Sequence, residues 1–313
     1  MSSEVLWEIP EPASVCEVRP DGDTVINLRR YGNPAGPRLV LSHGNGLAID
    51  LYFPFWSLLM DDYDLVIYDL RNHGRNNAGA IENHNVPAFV RDHNCILAAI
   101  DKQYGEEPKI GVFHSASSLI TLMSSSILAI PALTLGSSAF SALVLFDPPL
   151  CKPGASQEKF DEAAEKMAAM TRRRSNRFKS REQYVELLEF MPPFRNVVSG
   201  VRELVAATTL REAADGNGYE LCCPPEYEAR IIDYIRSYSP LVDLDELHCP
   251  TKVIGADPTL PYSYLPTIDL SDILSVDYDF LPDTTHLMQL EQPEECVATM
   301  RDFIEQEVLP GSR

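Results

Sequence analysis

Ser115, His286 and the aspartates Asp257 and Asp147 stand where their side chains could jointly transfer an acyl group. Ser115 ends Lys109–His114, whose apolar run Ile110–Phe113 gives way at once to a serine-rich, helix-compatible segment. Such a corner lifts a hydroxyl clear of the backbone at the open end of a sheet. It also sets it beside a helix N-terminus, whose free N–H groups favour developing negative charge. Asp257 follows the β-rich run Pro250–Ile254, and Asp147 ends the strand-like Ser141–Phe146. His286 follows Val276–Leu281, near the C-terminus. A serine, a histidine to take its proton and a carboxylate to orient that histidine form an acyl-transfer set. Asp257 is the expected acid and Asp147 the alternative. A lone histidine is usually a core or surface residue, and a lone aspartate after a strand is usually a turn residue. The combination, in the order Ser, Asp, His and with each at a strand end, points to catalysis.

An acyl-transfer centre also needs donors for the oxyanion. Arg38–Ser42 reads as a buried strand running into His43-Gly44-Asn45-Gly46. A glycine-rich turn can face its N–H groups inward. Asn45 and Ala116, the residue after the serine, are the expected backbone donors. Ser117 and Ser118 fall inside the following helix and should point away from the histidine. His114 reads as a buried neighbour of the corner.

HGNG after one strand, DLRNHGR after the next, HS at the corner and THLMQLEQPEECVATMRDFI near the end together resemble the α/β-hydrolase superfamily. The resemblance spans nearly the whole chain and is weakest at residues 151–248. More narrowly, the chain is similar to fungal hydrolases of toxin and polyketide pathways, including thioesterase-like off-loading enzymes. The resemblance implies a Ser115–His286–Asp triad at a nucleophile elbow, and hydrolysis of an ester or thioester through an acyl-enzyme. Release to a hydroxyl of the same substrate would give a lactone. It implies no cofactor and no metal, and a serine here argues against epoxide hydrolysis and dehalogenation, which use an aspartate. The chain departs from the family pattern G-x-S-x-G, with Phe113 two residues before the serine and Ser117 two after. DLRNHGRN stands where DLRGHGRS is usual. A non-catalytic ligand-binding protein, or a lyase or cyclase on the same fold, is the competing reading; a binding module would not need Ser115, His286 and Asp257 together.

Composition narrows the partners. The 313 residues carry a net charge of −20, which repels nucleic acid phosphates and anionic membranes. The hydrophobic content of 45% suits a globular protein, and no run is long enough to span a membrane. The seven cysteines are odd in number, lack a C-x-x-C pair and follow no secretory leader pattern, so a reducing, cytoplasmic setting is expected. The C-terminus is not a peroxisomal signal. His43, His73 and His84 are spread along the sequence and do not suggest a metal site.

The elements that must position these residues alternate strand and helix. The fold class expected is α/β, an α/β-hydrolase fold with a mostly parallel central sheet, helices on both faces and a helical cap after the sixth strand. Residues 1–150 form the first part of the core, 151–248 the cap and 249–313 the second part. Val5–Ile9 and Thr24–Tyr31 are expected to begin the sheet as an antiparallel edge. Pro87–Gln103 and Ser115–Ile130 are expected core helices. Glu158–Met170, Gln183–Phe190, Val201–Glu212 and Pro225–Arg236 should make the cap all-helical. Its Met167, Met170, Phe190, Met191 and Phe194 are candidates for lining an acyl pocket. The run Thr171–Arg181, the one basic block, is a candidate docking patch for an acidic carrier protein or for the phosphate of a CoA-type pantetheine arm. The expected partner is a small-molecule acyl substrate.

Overall fold

The computed structural model describes residues 7–125, 139–150, 157–260 and 276–308. Its strands are β1 Ser14–Val18, β2 Ile26–Gly32, β3 Arg38–Ser42, β4 Asp64–Tyr68, β5 Lys109–His114, β6 Ala142–Phe146, β7 Arg177–Phe178, β8 Leu210–Glu212, β9 Tyr219–Leu221, β10 Thr251–Gly255 and β11 Asp277–Phe280. Its helices are α1 Phe53–Trp56, α2 Val86–Tyr104, α3 Ala116–Ser125, α4 Gln157–Arg172, α5 Arg181–Glu189, α6 Val201–Thr209, α7 Pro225–Tyr238, α8 Met288–Glu291 and α9 Pro293–Glu307.

The main sheet has eight strands in the order β1-β2-β4-β3-β5-β6-β10-β11. β1 pairs antiparallel with β2, and β2 with β4, while the remaining pairs are parallel. The central strands are buried on both faces, which is why they read as unbroken apolar runs. Alternation divides them: Val40 and Val66 face α2 and α3, while Leu39, Leu41, Leu65 and Ile67 face α1 and α9. α2 begins where the Asn85 side chain accepts the Ala88 N–H at 2.9 Å and ends at Gly105, whose φ is 96°.

Two expectations are corrected. Among the described residues the first strand is Ser14–Val18, and Trp7–Ile9 of the expected Val5–Ile9 strand form none. Val5 and Leu6 lie outside the described residues. Trp7 instead donates its indole N–H to the Ser199 carbonyl at 2.9 Å, ahead of prolines 10 and 12, which suit no ladder. The segment between β6 and β10 is also not all helix. β7, β9 and β8 form a small antiparallel sheet in that order, so the helix expected over Val201–Glu212 stops at Thr209. The hairpin between β8 and β9 turns through Asp215-Gly216-Asn217-Gly218, with Gly216 at φ 72° and Gly218 at φ 80°. Those D-G and N-G pairs were the available sequence signal. Cys151, the first residue of the expected cap, and residues 126–130 of the expected elbow helix lie outside the described residues.

Candidate active site

The parallel registers decide which strand ends meet. His114 of β5 pairs with Phe146 of β6, so Ser115 and Asp147 are the next residues of adjacent strands. The corner at Ser115 is sharp, with φ of 52°, a left-handed conformation that L-residues adopt at a cost. Three bonds hold it. Ser115 N–H donates to the Phe146 carbonyl at 2.9 Å. His114 N–H donates to Ser117 Oγ at 3.1 Å, and the Ser117 hydroxyl donates to the His114 carbonyl at 2.9 Å. Ser117 is therefore consumed in closing the corner.

Phe113 does not disturb this turn. Its ring packs edge-on to His93 and Phe140, away from the sheet's end. The space for it comes from Gly111, where a Cβ would lie 2.6 Å from Cε2 of Phe113. The strand has moved its small residue two places earlier.

His286 Nδ1 lies 2.5 Å from Asp147 Oδ2. A carboxylate accepts only, so Nδ1 carries the proton and Nε2 is left as the basic atom. Asp147 is fully buried. Asp257, the expected acid, faces elsewhere. Its Oδ1 accepts from the Thr259 hydroxyl at 2.6 Å and the Thr259 N–H at 2.8 Å, and its Oδ2 accepts the Asp283 N–H at 2.9 Å. The Thr259 hydroxyl, the Asp283 N–H and the Thr259 N–H hold its carboxyl below the usual range. Asp257 thus braces the loop carrying His286. The reason lies in register: Ile254 of β10 pairs with Phe146, so Asp257 lies two residues further along and one strand further from Ser115 than Asp147.

Two buried histidines lock the glycine-rich turn to the loop after β4. His43 Nε2 accepts the Leu70 N–H, and His73 Nε2 accepts the Gly46 N–H, each at 3.0 Å. Burial pushes the pKa of His43 down to about 4 and that of His73 to about 3, which keeps both neutral acceptors. Gly44 N–H donates to the Tyr52 hydroxyl at 3.2 Å. The N–H groups on either side of Asn45 are therefore occupied. The Asn45 side chain reaches the other way, donating to the Glu228 carbonyl at 2.8 Å. The three histidines spread along the sequence are clustered in space, His43 with His73 and His73 with His84, at ring separations of 5.2 and 5.7 Å. Both nitrogens of His43 and of His73 are spent on backbone groups.

Ser115, His286, Gly44 and Asn45 open into one pocket under the cap. Met167, Met191 and Phe194 line it, along with Ile232 and Ile235. Met170 and Phe190, the other candidates, are exposed on the outside of the cap. The pocket's charged residues are Arg174 and Glu228, which sequence reasoning missed as a pair. Arg174 Nη1 donates to Glu228 Oε1 at 3.1 Å and Nη2 engages Oε2. Burial raises the pKa of Glu228 while Arg174 opposes the rise. Arg172 is bound to Glu226 and Asp233. Of the basic run, Arg174 thus faces the pocket, while Arg172 is paired on the cap's surface. Among the described residues no helix is long and apolar enough to cross a membrane.

The sequence matches the model of the alpha/beta hydrolase family over residues 39–299, and the chain belongs to that family. Solved structures share the fold. E-2-(acetamidomethylene)succinate hydrolase has a TM-score of 0.71 at 16% identity, over 93% of this chain and 99% of that one. The thioesterase domain of the curacin biosynthetic pathway gives 0.65 at 16%, over 93% and 99%. A thermophilic esterase from Thermogutta terrifontis gives 0.62 at 19%, over 94% and 99%. No curated protein matches the sequence.

Proposed function

We propose that this chain is a serine hydrolase that transfers the acyl group of an ester or thioester. Ser115 is the nucleophile, His286 the general base and Asp147 the acid. The observation that carries the reading is the 2.5 Å contact of His286 with Asp147, beside a serine held at positive φ on the adjoining strand end. His286 Nε2 takes the Ser115 proton as Oγ attacks the carbonyl, and Asp147 stabilises the imidazolium. The N–H groups of Ala116 and Asn45 receive the oxyanion, each worth about 3–4 kcal/mol in the transition state. His286 then returns the proton to the leaving group, and water or a substrate hydroxyl, deprotonated by His286 in turn, releases the acyl group as acid or lactone.

The pocket's lining supports one substrate class. Methionine and aliphatic side chains suit a polyketide-like or lipid-like acyl chain, and Met side chains adapt to irregular shapes. A thioesterase domain shares the fold, and carrier- or CoA-bound delivery is compatible with the proposal. The test is fluorophosphonate labelling of Ser115, with turnover of matched oxygen esters and thioesters and product analysis for acid and lactone. Labelling and turnover that vanish in Ser115→Ala are expected. A variant keeping more than about a tenth of the wild-type rate would overturn the assignment.

A further inference from the structure

We infer that His114 is a positioning residue, tying the oxyanion turn and the catalytic-base loop to the nucleophile corner through a fixed chain of hydrogen bonds. The inference rests on the roles proposed for Ser115 and His286.

The chain's direction is set by its ends. Gly44 N–H can only donate, and it meets the Tyr52 hydroxyl oxygen at 3.2 Å. Tyr52 Oη lies 2.6 Å from His114 Nδ1, and because the other ring nitrogen must donate to a carbonyl, the phenol donates its O–H to Nδ1. Nδ1 is then the acceptor, and Nε2 carries the hydrogen. Nε2 lies 2.8 Å from the His286 carbonyl oxygen, which can only accept. Every atom is matched in one tautomer only. Burial keeps the imidazole neutral, as this arrangement requires.

The chain reaches where backbone pairing cannot. The oxyanion turn follows β3, the corner follows β5 and the His286 loop follows β11. β3 is hydrogen-bonded to β5, but β6 and β10 stand between β5 and β11. Among the described residues no ladder bond fixes the base loop against the nucleophile. His114 does so at the backbone of His286 itself, with the two rings 4.6 Å apart. Fit is tight at the other end, where a Cβ on Gly44 would lie 2.8 Å from Nδ1 of His114 and 3.3 Å from Cβ of Ser115. An apolar residue could fill the volume of His114. It could not join these loops, and a displacement of about 1 Å at a reacting group can cost about a hundredfold in rate.

The experiment compares His114→Phe, His114→Gln, Tyr52→Phe and the double variant Tyr52→Phe/His114→Phe, with kcat counted per fluorophosphonate-titrated site. His114→Phe is expected to lower kcat about ten- to a hundredfold with KM within about twofold. His114→Gln keeps a donor near the position of Nε2 and should stay within about threefold of wild type. The double variant should be no slower than His114→Phe, because both residues act in one chain. The inference is overturned if kcat per site in His114→Phe stays within about twofold, if His114→Gln is as slow as His114→Phe, or if the two losses multiply. A merely structural role would lower thermal stability and the number of titratable sites, not kcat per site. A second readout needs no turnover. The downfield proton resonance of His286 Nδ1–H should move in His114→Phe and stay in His93→Phe; no movement in either overturns the inference. An unlabelled wild-type protein would instead sink the serine-hydrolase reading.

Discussion

Asp147 Oδ2 and His286 Nδ1 meet at 2.5 Å across 139 residues of sequence. Because Asp147 ends the strand next to the elbow, its carboxylate fixes the imidazole's tautomer as well as its place. Asp147→Asn should lower kcat by about 10³–10⁴-fold, since the amide can stabilise the wrong tautomer and no imidazolium. Asp257→Asn should cost less than about tenfold, because an amide oxygen turned toward the Asp283 N–H keeps the one bond from this side chain to the His286 loop, and the loss falls on the local bonds from Thr259. Steady-state kinetics of the two variants decide the matter. Equal losses would mean that bracing, not tautomer selection, dominates.

The ends of β3, β4, β5 and β6 were legible in the sequence, and so was the convergence of Ser115, His286 and the turn at Asn45 on one pocket. Which of Asp147 and Asp257 meets His286 was not. Each follows an apolar run, and only the pairing of Phe146 with both His114 and Ile254 sets their distances from Ser115. Register is a property of two strands together, and neither strand's residues state it alone. The pairing of Arg174 with Glu228 was hidden for a related reason: the residues lie 54 apart, on different parts of the cap.

The displaced small residue of the elbow strand gives a stability prediction. A Cβ at position 111 would lie 2.6 Å from the Phe113 ring and 2.7 Å from Cδ2 of Leu143. Gly111→Ala should destabilise by about 1–3 kcal/mol, the usual cost of overpacking. Phe113→Ala has its own cavity cost of about 3–5 kcal/mol, but with the ring gone the added methyl meets less, so the double variant should lose less than the sum of the two single losses in urea unfolding. Simple additivity would show that the ring is not what occupies the site.

The charged pair in the pocket should behave as a partly buried ion pair. Arg174→Met leaves Glu228 without its cation and should cost about 2 kcal/mol. That is below the value for a fully enclosed pair because the Arg174 side chain keeps 34% of its surface in solvent. Arg174→Met with Glu228→Leu should recover most of the loss, since the apolar pair has no charge to strand. Chemical denaturation of the two variants is the measurement, and a double variant as unstable as the single one would remove the pair from the account.

Acid should destabilise the fold through its buried imidazoles. Burial lowers the pKa of His93 to about 3, against about 6.5 when exposed. The folded chain keeps it neutral, so the unfolded chain binds the proton first as pH falls. Stability is full above about 6.5 and is lost progressively toward about 3. His43, His73, His84 and His114 act in the same direction. Asp92, Glu228 and Glu291, raised by burial, act against it. Tm should therefore fall between pH 7.5 and 5.5. His93→Phe with Tyr68→Phe, which leaves no hydroxyl unpartnered, should shrink that fall. An unchanged slope would mean that His93 does not contribute.

The backbone at Ser115, the proposed nucleophile, should carry a measurable cost. Ser115 is held at φ 52°, where a Cβ crowds the following carbonyl and glycine has no such penalty. Ser115→Ala and Ser115→Gly both remove the hydroxyl and should both be inactive. They differ in the Cβ alone, so their stability difference isolates the strain. Ser115→Gly should be more stable than Ser115→Ala by about 1 kcal/mol, the amount set by the left-handed conformation less the extra freedom glycine has when unfolded. The comparison needs only thermal or urea unfolding of two inactive proteins. If alanine proves equal or better, the corner is relaxed, and the sharp turn at Ser115 is held without cost by the bonds from Ser117 and Phe146.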